Sequence, residues 1–200
     1  MKRDGGNCGA VILSGGMNSR MGGRNKAFLE VGGKTILERL IETLATVFGD
    51  IVLVTRQPDF YRNFDVRIVE DIYRERSSLT GIHAGLRHSM SDHVFVAPCD
   101  APFIQPALIR LLVSEIEPDI DVIVPELADH LEPLCAIYSK RCIPVIENQL
   151  DQGRLKIIDF FDQVRRKTIP IEKIRKADKD LRSFFNVNTP EVYNASRDLI

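Results

Sequence analysis

Residues 11–26, Val-Ile-Leu-Ser-Gly-Gly-Met-Asn-Ser-Arg-Met-Gly-Gly-Arg-Asn-Lys, concentrate one kind of chemistry. An apolar run from Ala10 to Leu13 opens into a stretch holding Gly15, Gly16, Gly22 and Gly23 together with Arg20, Arg24 and Lys26, and no acid. Glycine permits positive φ and lets the backbone come close to a ligand. Successive backbone N–H groups in such a loop can form an anion-binding concavity, and fixed cations offset the charge on phosphate oxygens. The pattern is suited to holding phosphates, where the plainer alternative is a basic surface loop. It is not a Walker A loop: Gly33-Lys34-Thr35 ends correctly, but the required earlier glycine falls on Phe28. The Gly-x-Gly-x-x-Gly register of dinucleotide folds also fails.

Acids and amides elsewhere could complete such a site. Asp100 follows Val94-Phe95-Val96-Ala97-Pro98-Cys99 and precedes Ala101-Pro102. An acid held between a strand and a proline suits magnesium, which commonly takes one or two carboxylates plus substrate phosphates and water. The other reading is a turn cap. Asp71 ends the run Val66–Val69, Glu70, and is either a base or ribose contact or a solvated turn acid. Asn186 and Asn188 bracket Val187, so alternation sets both amides on one face, although Asn188 or Thr189 would also cap a final helix. Glu132, alone before Pro133-Leu134, reads as structural.

Several function classes drop out. The net charge of −1 over 200 residues argues against nucleic-acid binding through a bulk positive field. No apolar stretch reaches the ~20 residues of a membrane helix, and no signal peptide is evident. Cys8, Cys99, Cys135 and Cys142 form no Cys-x-x-Cys pair and read as reduced thiols of a cytoplasmic protein. His83, His88, His93 and His130 lack metal-ligand spacing.

The positioning elements follow from periodicity. Residues 9–14, 51–55, 66–69, 94–97 and 121–124 are apolar, β-branched runs that predict strands. Ile36, Leu37, Leu40, Ile41, Leu44, Val47 and Phe48 make a helical stripe behind a Thr35–Glu38 capping box, closed by Gly49. Further helices are expected from an N-cap at Thr80 to about Ser89 and from Pro106 to about Glu117, and a short extended piece over Ala27–Val31. Beyond Pro125 the pattern weakens: a strand over 133–138, a helix over 141–150, an edge strand over 168–171, and a last helix from Thr189. The alternation predicts an α/β domain over 9–200, with an open, mostly parallel, Rossmann-like sheet flanked by helices and a disordered leader over 1–8. Ligands of such sheets bind beyond the carboxyl ends of the strands. The glycine loop, Asp71 and Asp100 should therefore converge.

Leu13-Ser14-Gly15-Gly16, Arg20-Met21-Gly22-Gly23 and Asn25-Lys26 resemble the signature loop of the MobA-type molybdenum cofactor guanylyltransferases. Val69-Glu70-Asp71, Leu79-Thr80-Gly81-Ile82, Pro98-Cys99-Asp100-Ala101-Pro102, Glu132-Pro133-Leu134 and Asn186-Val187-Asn188-Thr189-Pro190 resemble that family's later blocks, in order. The resemblance covers nearly the whole chain. It implies a nucleotide-diphospho-sugar transferase-like fold and transfer of GMP from Mg-GTP to molybdenum-molybdopterin, with release of pyrophosphate. Leu13, Ser14, Gly15 and Gly16 would hold the guanosine end, and Lys26 would contact the triphosphate. Asp71 would help bind nucleotide, Asp100 would bind Mg2+, and Arg20 would steady the phosphates. Asn186 and Asn188 would face the pterin. Other molybdenum cofactor biosynthesis proteins and acceptor apo-enzymes are implied as partners. The chain departs from the family pattern at Ser14 (often alanine), Asn25 (often aspartate), Ser77-Ser78 (often Gly-Pro) and around Val54-Thr55 (often with an asparagine). The alternatives are a cytidylyltransferase of the same cofactor or another small nucleotidyltransferase, and, from another class, a non-catalytic nucleotide- or pterin-binding adaptor. Gly15 bears on the first, since related cytidylyltransferases tend to carry alanine there.

Overall fold

The structure is a computed structural model, and it describes residues 8–15, 25–128, 130–189 and 192–194. The strands are β1 (Cys8–Ser14), β2 (Glu30–Val31), β3 (Lys34–Thr35), β4 (Ile51–Thr55), β5 (Arg67–Val69), β6 (His93–Pro98), β7 (Val122–Leu127), β8 (His130–Leu131), β9 (Ala136–Ser139) and β10 (Arg166–Pro170). The helices are α1 (Ile36–Ala45), α2 (Ser78–His88), α3 (Pro106–Ser114), α4 (Ile143–Asp151) and α5 (Ile171–Ala177). Among the described residues, the main sheet runs β10-β7-β9-β6-β1-β4-β5, with β8 paired to β7. β1 lies inside it, parallel to both β4 and β6. The reversed strand β9 runs antiparallel to β6 and β7. It follows the β7–β8 hairpin directly, and antiparallel neighbours need no helical crossover.

Helices cover both faces of the sheet, which is why β1 reads as a continuous apolar run. Ala10 and Ile12 point into one core with Leu37, Leu40 and Leu44 of α1 and Leu108, Ile109 and Leu112 of α3. Val11 points the other way, onto Leu79, Ile82 and Leu86 of α2 and Ile146 of α4.

The α1 capping box forms as its sequence predicts, with Thr35 Oγ1 accepting from the Glu38 N–H and Glu38 Oε2 accepting from the Thr35 N–H. At α2 the expected cap moves. Ser77, not Thr80, is the N-cap, and Thr80 is the reciprocal third residue of a Ser-Thr box. The usual signature has Glu or Gln there, so the box was hidden. Of the extended piece expected over Ala27–Val31, Glu30–Val31 is strand β2, while Ala27 and Phe28 belong to a 3-10 turn, Lys26–Phe28, capped by the Asn25 side chain. The expected strand over 133–138 starts only at Ala136, because residues 132–135 close a turn through Cys135 N–H to Glu132 O. β1 takes in Cys8, the last residue of the expected leader, and residues 1–7 lie outside those described.

Candidate active site

Strand order reverses about β1, with β4 to one side and β6 to the other, and the crevice at such a point is where open α/β sheets bind ligands. A cavity of about 560 Å³ lies there. Leu13, Ser14 and Gly15 from the end of β1, Asp71 from beyond β5, Asp100 from beyond β6, and Asn186 and Asn188 from near the C-terminus all line it, together with Lys26. Val187, between the two amides, turns away and is fully buried beside Phe103 and Ile36. Gly16 and Arg20 lie outside the described residues.

Small residues shape the wall. A Cβ at Gly85 would stand 2.5 Å from Val11 Cγ1, and one at Gly81 3.0 Å from Leu13 Cδ2, so α2 closes tightly on β1. Gly15 is different. A Cβ there would meet no atom of the described residues within 4 Å, so packing among them does not demand glycine at that cavity position.

Lys26 lines the cavity beside Asp100 and Asn188. Its Nζ donates to Asn188 Oδ1 at 2.7 Å and to Asp100 Oδ2 at 3.3 Å. The Asp100 carbonyl accepts from the Val187 N–H at 2.8 Å, which fastens the C-terminal segment to the end of β6. The Cys99 N–H donates to the Leu13 carbonyl, which joins the ends of β1 and β6. Burial pushes the Asp100 carboxyl above the ordinary carboxylate range, and the Lys26 ammonium pulls it only partly back. Burial likewise pushes the neighbouring Cys99 thiol up to about 11, which favours the thiol over the nucleophilic thiolate.

Asp71 is engaged on both oxygens. Oδ1 accepts from the Tyr73 N–H at 2.9 Å and Oδ2 from Arg56 at 3.2 Å. The same guanidinium reaches the carbonyls of Tyr73, Arg74 and Glu75. Arg56 and Asp71 thus form the polar frame of the loop that leads into α2. Sequence reasoning missed Arg56. It directly follows β4, and the strand-end rule that singled out Asp100 would have found it. Tyr61 was also missed. It sits on a 3-10 turn after β4, and its hydroxyl meets Ser14 and Asn25.

No group of three or more His, Cys, Asp or Glu side chains able to hold a metal occurs among the described residues. A metal bound here would complete its shell with substrate oxygens and water. That donor set, one carboxylate open to a cavity, suits magnesium with a nucleotide.

Comparison with known proteins agrees with this geometry. Residues 10–167 match the model of the MobA-like NTP transferase domain. The chain is 42% identical, over 90% of its length and 90% of the relative's, to a molybdenum cofactor guanylyltransferase of Desulfosudis oleivorans. It is 37% identical to a probable molybdenum cofactor guanylyltransferase of Natranaerobius thermophilus, over 96% and 95% of the two chains. Among solved structures, molybdopterin-guanine dinucleotide biosynthesis protein A of Archaeoglobus fulgidus superposes with a TM-score of 0.84 at 30% identity, covering 95% of this chain and 97% of that one. A mostly parallel sheet whose order reverses about β1, a cavity at that reversal and a matching family model over most of the length lead to one conclusion: the chain belongs to the MobA-like NTP transferase family.

Proposed function

We propose that this protein transfers GMP from Mg-GTP to molybdenum-molybdopterin, yielding the guanine dinucleotide form of the cofactor and pyrophosphate. The observation that carries nucleotidyl transfer is the Lys26–Asp100 pair, 3.3 Å apart in the wall of a cavity at the end of β1. The volume lies within the roughly 300–1,000 Å³ typical of small-molecule sites. The choice of guanine and of the pterin acceptor rests on the names of the relatives.

In this reading the terminal phosphate of the pterin attacks the α-phosphorus of GTP. A P–O bond forms to the acceptor, and the bond to the β-phosphate oxygen breaks with its electrons leaving on pyrophosphate. The nucleophile is already anionic, so no strong general base is required, and positioning with charge neutralisation does most of the work. Lys26, steadied by Asn188, neutralises charge on the triphosphate. Ser14 and Gly15 hold the nucleoside end, and Asp71, kept in place by Arg56, shapes its far wall. Asn186 faces the acceptor side. Asp100 is the residue that would hold Mg2+, whose contribution when bound is neutralising phosphate charge. Gly16 and Arg20 belong to the same proposal through their place in the signature loop. We place the activity in one domain over residues 9–200 acting in the cytoplasm, with handover to acceptor apo-enzymes. No helix of the described residues is long and apolar enough to cross a membrane.

The test is thermal stabilisation by GTP, CTP, UTP and ATP, each with magnesium, because a ligand that binds the native state raises its stability by mass action. GTP should give the largest shift. A larger shift with CTP would replace the guanylyl assignment by the cytidylyl one.

A further inference from the structure

Tyr61 is fully buried, and its ring stacks on Phe28 at 5.4 Å between centroids and lies 6.5 Å from Phe64. Those contacts account for the ring. The hydroxyl goes elsewhere: it lies 2.5 Å from Ser14 Oγ and 2.7 Å from Asn25 Nδ2. Ser14 is the last residue of β1, and Asn25 immediately precedes Lys26. We propose that Tyr61 is a positioning residue for the nucleotide site: its hydroxyl ties the end of β1 to the Asn25 cap and so sets the backbone from which Lys26 reaches Asp100 and Asn188.

The proton count supports a defined geometry. Asn25 Oδ1 accepts from the Ala27 N–H at 3.1 Å, which caps the turn beginning at Lys26. With the amide oxygen occupied in this way, its NH2 must face Tyr61, whose oxygen accepts. The phenol proton is then free to go to Ser14 Oγ. Burial pushes the phenol above its ordinary range, which favours the protonated, donating form. Loss of the hydroxyl would leave the Asn25 amide and Ser14 without this shared partner. The Asn25 cap would loosen, and Lys26 with it.

The catalytic consequence rests on the nucleotidyl-transfer reading, but the positioning itself does not, so the test reads both on the full chain. In the ligand-free protein, Tyr61→Phe should speed hydrogen exchange at the Ala27 amide about tenfold, the range expected for losing one hydrogen bond, while the buried strand amides of β1 exchange as before. Unchanged exchange at Ala27 overturns the proposal, whether or not the chain binds nucleotide. In turnover, Tyr61→Phe and Asn25→Ala should each lower kcat/KM for Mg-GTP about tenfold, and the double variant no more than the worse single, because both break one connection. Additive losses, or a Tyr61→Phe enzyme with wild-type turnover, overturn it. A wild-type chain that stabilises with no nucleotide would sink the function proposed above and leave the exchange result to decide this one. If Tyr61→Phe fails to fold, Ser14→Ala carries the exchange comparison: a faster Ala27 amide supports the proposal and an unchanged one overturns it.

Discussion

Lys26 and Asp100 are oppositely charged side chains, each about one-sixth exposed, facing a cavity. Partly buried ion pairs seldom improve stability, because desolvation offsets much of the attraction. Their placement is better explained by what enters the cavity. Lys26→Ala and Asp100→Ala should each lower kcat/KM for nucleotidyl transfer about 100-fold or more, the scale seen when a preorganised charge-stabilising group is lost. Steady-state kinetics with a parallel melting curve checks this. Melting should shift little, since the partner left behind can be hydrated from the cavity, and near-normal turnover would take that residue out of the mechanism. Residues at strand ends were visible in the sequence, because an apolar run followed at once by Gly15 or Asp100 marks its own position. Arg56, directly after β4, marks its position in the same way. Tyr61 does not: its role depends on how the segment after β4 folds back across the end of β1, which no local pattern encodes.

At the scale of elements, the contact of α2 with β1 shapes the cavity wall at the end of β1. Gly85 lies over Val11 with no room for a methyl group, since a Cβ would stand 2.5 Å and 2.6 Å from the two Val11 methyl carbons. Both residues are buried in well-filled surroundings and cannot easily move apart. Gly85→Ala should therefore destabilise the protein by about 1–3 kcal/mol, as overpacking does, measured by urea unfolding. An unchanged midpoint would mean that α2 has freedom the packing denies. Gly81→Ala meets the end of a leucine side chain and should cost less. The same helix shows the limit of local reading. Its glycines and apolar stripe were legible, but its start was misplaced by three residues because Thr80 serves as the third residue of the box and not as the cap.

Across the whole molecule, Asp50 fastens the edge of the sheet opposite the cavity. Its carboxylate accepts from Ser89 Oγ at 2.6 Å, from the Met90 N–H at 2.7 Å and from Arg67 of β5. Its carbonyl accepts from the Ala10 N–H of β1. Burial works to raise the Asp50 carboxyl, but the bonds from Ser89, Met90 and Arg67 outweigh it, and the group titrates below its ordinary value. The folded pKa is thus lower than the unfolded one. The resulting stability is present above the unfolded value of about 3.9 and is lost as pH falls through the folded value. Unfolding free energy measured from pH 6 to pH 2 should fall with acid, and Asp50→Asn should flatten that fall while lowering stability at neutral pH. An equally steep fall in the variant would assign the acid sensitivity to other carboxylates, such as Glu115, whose bonds with Lys173 and Lys167 also hold it low.

The sequence by itself determined the sheet's central strands, the α1 capping box, the glycine-rich cationic stretch and the acid after β6. These are short-range properties, set by periodicity, capping chemistry and the residue that ends each apolar run. Only the tertiary structure decided that β9 enters the sheet reversed, since both directions bury an apolar strand equally well and the hairpin before it makes the choice. Only the tertiary structure brought Asn188 onto Lys26, 162 positions away in the chain, and Tyr61 onto Ser14 and Asn25. Those contacts arise where separate segments meet at the end of one strand, and hydrogen-bond partners at such distances are chosen by the fold that carries them.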